Sequence, residues 1–214
     1  MYKKLLIAGL LLSAGLPLVA SADNFQGWYL DGMLGVSSYG NSQDDEDSIQ
    51  SGLAQQGTEA NVHVDDNPGA IGIGFGYHFN PYFALEANYL DLGDATSHIH
   101  FFAPVEGSST EHLDASGGSL DAIGLIPLSE RVSLFGKVGA FDYHLDDTVD
   151  ADFPVQHQFP DANATTWDLG AGVEIHFDRG LGMRAGYTSY QQVGDSKTGK
   201  QNIGLGYAQL YFNF

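Results

Sequence analysis

Two kinds of residue in this sequence have the means to do chemistry: a few cations set among many acids, and histidines placed near serines or carboxylates. Lysine and arginine number 8 against 27 aspartates and glutamates. A guanidinium pairs with a carboxylate through two parallel hydrogen bonds, so Arg184 is expected to bridge Glu86 or Glu174. Lys137 and Asp168 are expected beside them. Glu86, Lys137, Glu174 and Arg184 therefore form the candidate site, an ion-pair network with no catalytic role assigned. For nucleophilic chemistry the best pair is Ser189 with His144, which would have to lie within hydrogen-bond reach. His98, His100 and His112 are candidates for a soft metal, but their spacing matches no ligand motif. Asp44-Asp45-Glu46-Asp47, His63, Asp65 and Asp66 form one acidic segment, and Asp146, Asp147, Asp150, Asp152 and His157 another. Neither has the glycine and terminal glutamate of a calcium-binding EF-hand loop, so weak divalent-cation binding is the most they imply. No cofactor is expected.

The elements that must position these residues are strands. From Trp167 to Phe177, Trp167, Leu169, Ala171, Val173, Ile175 and Phe177 share one face of a period-two pattern; Asp168, Gly170, Gly172, Glu174 and His176 share the other. Ile71 to Phe79 alternates in the same way with Gly72, Gly74, Gly76 and His78, and in Leu181 to Tyr190, Leu181, Met183, Ala185 and Tyr187 alternate with Gly182, Arg184, Gly186 and Thr188. Five further segments, about 27–39, 82–94, 114–126, 131–145 and 201–214, bring the number to eight. The last changes phase between Tyr207 and Leu210, for which a β-bulge near Ala208–Gln209 is the expected remedy. Short connections fall at Asn80-Pro81, Leu128-Ser129-Glu130 and Asp178-Arg179-Gly180. Long polar ones are expected over about 40–67, 95–113, 146–163 and 192–200.

The ends and the composition narrow the class. Lys3 and Lys4, the apolar run Leu5–Leu12 and the small residues Ala20-Ser21-Ala22 read as a secretory signal peptide over 1–22. Its removal would take the formal charge from −19 to −21. The remaining 23–214 is expected to be one domain. It contains no apolar run near the length of a spanning helix. Cysteine is absent, which removes disulfides and thiolate metal sites. The acidity argues against nucleic acid as a partner.

A soluble barrel also alternates, but its polar face must cover a wet exterior. Here the polar face is mostly glycine with a few charges, too small for that task, while the apolar face carries Trp, Tyr and Phe near strand ends. That is the pattern of a transmembrane barrel with aromatic girdles, short turns at one end and long loops at the other. The expected fold is all-β: an eight-stranded antiparallel up-and-down transmembrane β-barrel with Lys137, Arg184, Glu86, Asp168 and Glu174 turned inward.

Trp28-Tyr29, Gly76-Tyr77, Asn80-Pro81-Tyr82 with Phe83-Ala84-Leu85-Glu86, Gly172-Val173-Glu174 and Met183-Arg184-Ala185 resemble, in order and spacing, the transmembrane domain of the OmpA family. The resemblance covers most of 25–214 and implies an outer-membrane location, export through the periplasm and an interior salt-bridge network acting as a plug or gate. Arg184, Glu86 and Glu174 keep their parts in it. Ile123 stands where the family has a basic residue, and Lys137 is the substitute. The periplasmic peptidoglycan-binding domain of full-length members has no counterpart here, so cell-wall anchoring is not carried over. Leu210, Phe212 and Phe214 resemble the C-terminal signature read by the outer-membrane assembly machinery.

The functional expectation is a non-enzymatic barrel with a largely plugged lumen and acidic outer loops, serving membrane integrity or surface interaction. Its partners are outer-membrane lipid and lipopolysaccharide, whose phosphates divalent cations could bridge to loop carboxylates. A small-solute or hydrophobic-ligand pore is the alternative, and a lipid A-modifying enzyme a third.

Overall fold

In a computed structural model, residues 26–39, 51, 59–65, 67–103, 107–151, 162–194 and 201–214 are described. The segment read as a signal peptide lies outside them, as do Asp44–Asp47, Asp66, Asp152 and His157, and the side chains of His63, Asp65, Asp146, Asp147 and Asp150.

The described residues form nine strands: β1 (Gly27–Tyr39), β2 (Glu59–Asp65), β3 (Gly69–Asn80), β4 (Phe83–Ala103), β5 (Gly107–Pro127), β6 (Val132–Ala151), β7 (Ala162–His176), β8 (Leu181–Val193) and β9 (Gln201–Asn213). Eight of them close an antiparallel barrel. β1 pairs with β3 on one side and β9 on the other, and a β4–β5 pairing completes the ring. Closure leaves the membrane-crossing part of the wall with no unpaired strand edge, the condition for a sheet in hydrocarbon. β2 adds to the far part of β4, from Asp65 opposite Thr96 to Glu59 opposite Ala103.

Side chains sort by parity as glycine content and aromatic placement predict. Leu30, Leu34, Ile73, Leu169 and Val138 are exposed on the outer face, while Glu86, Asp168, Glu174 and Arg184 are buried within. At the short-turn end the outer face carries a ladder of rings. Trp28 stacks on Phe75 at 4.7 Å, Tyr77 meets Phe79 at 4.9 Å, and Phe79 meets Phe83 at 5.4 Å. Trp167, Tyr89 and Tyr187 are exposed nearer the other end. Two such belts, with amphipathic rings at both rims, mark the interfaces of a membrane barrel.

The inner face is layered. Nearest the short turns, Tyr29, Ala84, Ile123, Leu125, Phe135 and Tyr211 pack together. Charged side chains follow. Beyond them lies a larger apolar cluster that includes Phe141, Tyr143, Leu145, Tyr190, Ile203 and Leu205. Phe141 contacts Tyr190 at 4.7 Å, and the Tyr143 hydroxyl donates to Gly194 O at 3.1 Å.

Two expectations are corrected. No bulge falls at Ala208–Gln209: β9 runs against β1 in unbroken register from Tyr39–Ile203 to Tyr29–Asn213. Ile203 and Leu205 point inward with Gln209 and Tyr211, and Leu210 points outward. The change of phase is a change in what lines the barrel, from polar to apolar, and leaves the backbone regular. The register shift lies instead between Tyr190 and Val193, where Gln192 has φ 53°. Second, 95–113 is largely strand. β4 and β5 continue as a hairpin to Phe101 opposite Gly107, and β6 pairs on to Ala151 opposite Ser109. Beyond the bilayer water meets both faces of a sheet, so alternation of hydrophobicity fades while pairing persists. A glycine at φ +77°, Gly93, sits in the β4 bulge between Asp91 and Asp94 where this extension begins.

Candidate functional site

The inward charges occupy two linked centres. Glu174 and Arg184 face one another directly across β7 and β8, close enough in sequence through the Asp178–Gly180 turn that their pairing is nearly local. The Arg184 Nε bonds Glu174 Oε2, and its Nη1 reaches across the lumen to Glu86 Oε2 on β4. Glu86 Oε2 also accepts from the Tyr29 hydroxyl at 2.7 Å; its Oε1 accepts from Asn88 Nδ2 at 3.0 Å and Gln209 Nε2 at 3.2 Å. Glycine makes this convergence feasible: Gly76, opposite both Tyr29 and Glu86, leaves the room that the Tyr29 ring fills, and a Cβ there would lie 2.2 Å from it.

Arg184 is enclosed by rings. Its guanidinium carbon lies 5.0 Å from the Tyr211 centroid and 5.2 Å from that of Tyr29, within the range of cation–π attraction. Its Nη2 sits 3.3 Å from His78 Nε2, and Glu174 Oε1 is 2.9 Å from His176 Nε2. Below them a cavity of about 330 Å³, lined by His78, Tyr82, Ser133, Glu174 and His176 among others, opens at the short-turn end.

Lys137 belongs to the second centre. Its Nζ is 3.3 Å from Asp121 Oδ2 and 3.9 Å from Asp168 Oδ1. Asp121 also accepts from Ser119 Oγ at 2.8 Å and Asn88 Nδ2 at 3.2 Å, so Asn88 joins the two centres. Ile123 lies directly across from Lys137 and packs with Leu125 and Phe135. The structure thus brings Arg184, Glu86 and Glu174 together and sets Lys137 apart with Asp121 and Asp168. Sequence reasoning missed Asp121, although it shares the parity of Ile123 two residues on. It also left out the roles of Tyr29, His78 and His176, which carry no charge signal.

The remaining candidates do not converge. β7 stands between His144 on β6 and Ser189 on β8; His144 Nδ1 contacts Asn163 Oδ1 at 2.5 Å, and Ser189 Oγ accepts from Gln191 at 2.7 Å. His98 pairs with Thr110 at 3.0 Å and His112 with Thr96 at 3.4 Å. Among the described residues, no three metal-ligating side chains gather at one point.

The outer membrane protein beta-barrel domain profile matches residues 6–208. Comparison with curated proteins finds no match. Among solved structures the chain is similar to neisserial surface protein A, with 12% identity, 88% of this chain and 97% of that one covered, and a TM-score of 0.48. It is also similar to the N-terminal β-barrel domain of Pseudomonas aeruginosa OprF, with 19% identity, coverage of 87% and 98%, and a TM-score of 0.42. A third is the attachment invasion locus protein Ail of Yersinia pestis in complex with the heparin analogue sucrose octasulfate, at 13% identity, coverage of 87% and 99%, and a TM-score of 0.44. With its eight-stranded closed wall, outward apolar face and inward charges, the chain belongs to the outer membrane protein beta-barrel domain family and is an OmpA-like β-barrel of the Gram-negative outer membrane.

Proposed function

We propose that this protein is a non-enzymatic integral barrel whose lumen is closed by its own side chains, and that it serves membrane integrity or displays its outer segments for surface interaction. The observation carrying this reading is the stack inside the wall. Arg184 is held between Glu86 and Glu174 and backed by Tyr29 and Tyr211, with the Phe141–Leu205 cluster packed above. An eight-stranded barrel has an interior only just wide enough for side chains to fill, so a cross-lumen guanidinium bridge leaves little room for solute. An apolar layer next to it adds a dewetting barrier to ions.

In this reading residues 1–22 are a signal peptide and 23–214 the barrel. The outward apolar face takes outer-membrane lipid and lipopolysaccharide, and the acidic outer segments bind divalent cations weakly. The last strand is read by the assembly machinery through Phe214, which is exposed and closes onto Trp28 O through its backbone N–H at 2.9 Å.

Liposome swelling separates the plug from a pore. Vesicles carrying the wild-type barrel are expected to swell in small sugars no faster than protein-free vesicles, and planar bilayers to show no sustained conductance. Arg184→Ala, which removes the bridge, is expected to raise ion leak. Rapid swelling of wild-type vesicles would make the pore the correct reading.

A further inference from the structure

The register sets Asp121, Gly139, Asp168 and Tyr190 in one row across β5, β6, β7 and β8. Directly opposed residues share a face, and this row faces inward. Gly139 contributes no side chain, so the Asp121 carboxylate lies over it: a Cβ there would be 2.2 Å from Asp121 Oδ1. The two aspartates therefore approach each other across a single glycine.

Their hydrogen bonding is one-sided. Asp121 Oδ2 takes Lys137, Ser119 and Asn88. Among the described residues, Asp121 Oδ1 and both oxygens of Asp168 are buried and meet no donor, and the buried Tyr190 hydroxyl has no hydrogen-bond partner. Lys137 Nζ, at 3.9 Å from Asp168, is beyond hydrogen-bond reach. The Tyr190 hydroxyl is within electrostatic range of both carboxylates, and Asp168 and Tyr190 are each fully buried. Two carboxylates and one ammonium leave a residual negative charge in a dry interior, where an uncompensated ion is costly. Lys137 supplies only one positive charge, and the next cation, Arg184, is committed to Glu86 and Glu174.

We propose that Asp121 and Asp168, completed by the Tyr190 hydroxyl, form a binding site inside the barrel for a small hard metal cation. The donors are all oxygen, which suits an alkali or alkaline-earth ion and not a soft metal. One added positive charge, as an alkali ion brings, balances the trio with Lys137; a divalent ion would leave it one positive. The site goes beyond the closed-lumen reading and does not depend on it. The apolar cluster above the row, with Phe141 and Leu205, makes entry from outside slow, so the ion is taken up as the barrel folds.

The test is to refold the full chain into detergent micelles in NaCl, KCl, CaCl2 or N-methyl-D-glucamine chloride at matched ionic strength. Thermal unfolding midpoints are then compared. At a metal concentration about a hundredfold above Kd, at least one metal salt should raise the midpoint by about 5–10 °C over the bulky organic cation. Asp168→Asn and Tyr190→Phe should each remove most of that difference. Outer acidic residues also respond to metal, but they are unchanged in both variants. On the wild type alone, crystals grown in rubidium chloride should show anomalous density between Asp121 and Asp168. Midpoints indifferent to the metal, a difference retained in both variants, or no anomalous peak would overturn the proposal. So would a midpoint that follows pH and not the metal, which would assign a shared proton to the two carboxylates.

Discussion

Arg184 is the residue on which the most interactions converge. Removing Arg184 leaves Glu86 and Glu174 buried without the cation they share, at a typical cost of about 3–5 kcal/mol. Arg184→Ala is therefore expected to lower resistance to urea by that order and to lose heat-modifiability on gels at a lower temperature than wild type. Arg184→Lys should recover only part of the loss, since one ammonium cannot replace both the Nε that holds Glu174 and the Nη1 that holds Glu86. An Arg184→Ala barrel as resistant as wild type would remove this pairing from the account. At this scale the sequence was legible where charge and parity coincide: Arg184 and Glu174 each interrupt a glycine-rich face, and Glu86 shares the parity of Ala84 and Asn88 on β4. It was silent on Tyr29, whose hydroxyl matters only because Gly76 lets its ring lie flat across the neighbouring strand.

Strands and turns carry two further predictions. On β7 Val173 is exposed on the outer face between the rings of Trp167 and of Phe177, one residue past the strand's end. Val173→Arg would put a charge into hydrocarbon, at about 2–4 kcal/mol near the midplane, and should reduce the folded fraction in vesicles; no reduction would contradict the assignment of that face. In the turn between β7 and β8, Gly180 has φ +77°, and a Cβ there would lie 2.6 Å from Asn213 O. Gly180→Ala is expected to cost about 1–3 kcal/mol, read from the urea midpoint, with neighbouring Arg179 tolerating Asn better than Ala because it too is left-handed, at φ 68°. Strand identity was clear from alternation inside the bilayer because lipid on one side and a packed lumen on the other enforce it. The extensions of β4, β5 and β6 were not: Thr96, His98, Thr110 and His112 pair across strands with no apolar face to announce them.

For the whole molecule, the wall inverts the arrangement of a soluble barrel, and the interior changes character along its axis. The short-turn end is aromatic, the middle ionic and the far end apolar. The parity break in β9 was visible in the sequence, yet its meaning was not, because an apolar residue facing lipid and one facing an apolar lumen look the same in a pattern. Burial separates them: Leu205 is 1% exposed and Leu210 is 55% exposed. The chain has no cysteine, so single cysteines can report each position without background. The most direct test labels Leu205→Cys and Leu210→Cys with an environment-sensitive fluorophore during folding and reconstitutes each in vesicles containing brominated lipid. Strong quenching at 210 and little at 205 is the predicted result; quenching at 205, or equal quenching at both, would contradict the inward and outward faces on which the account rests.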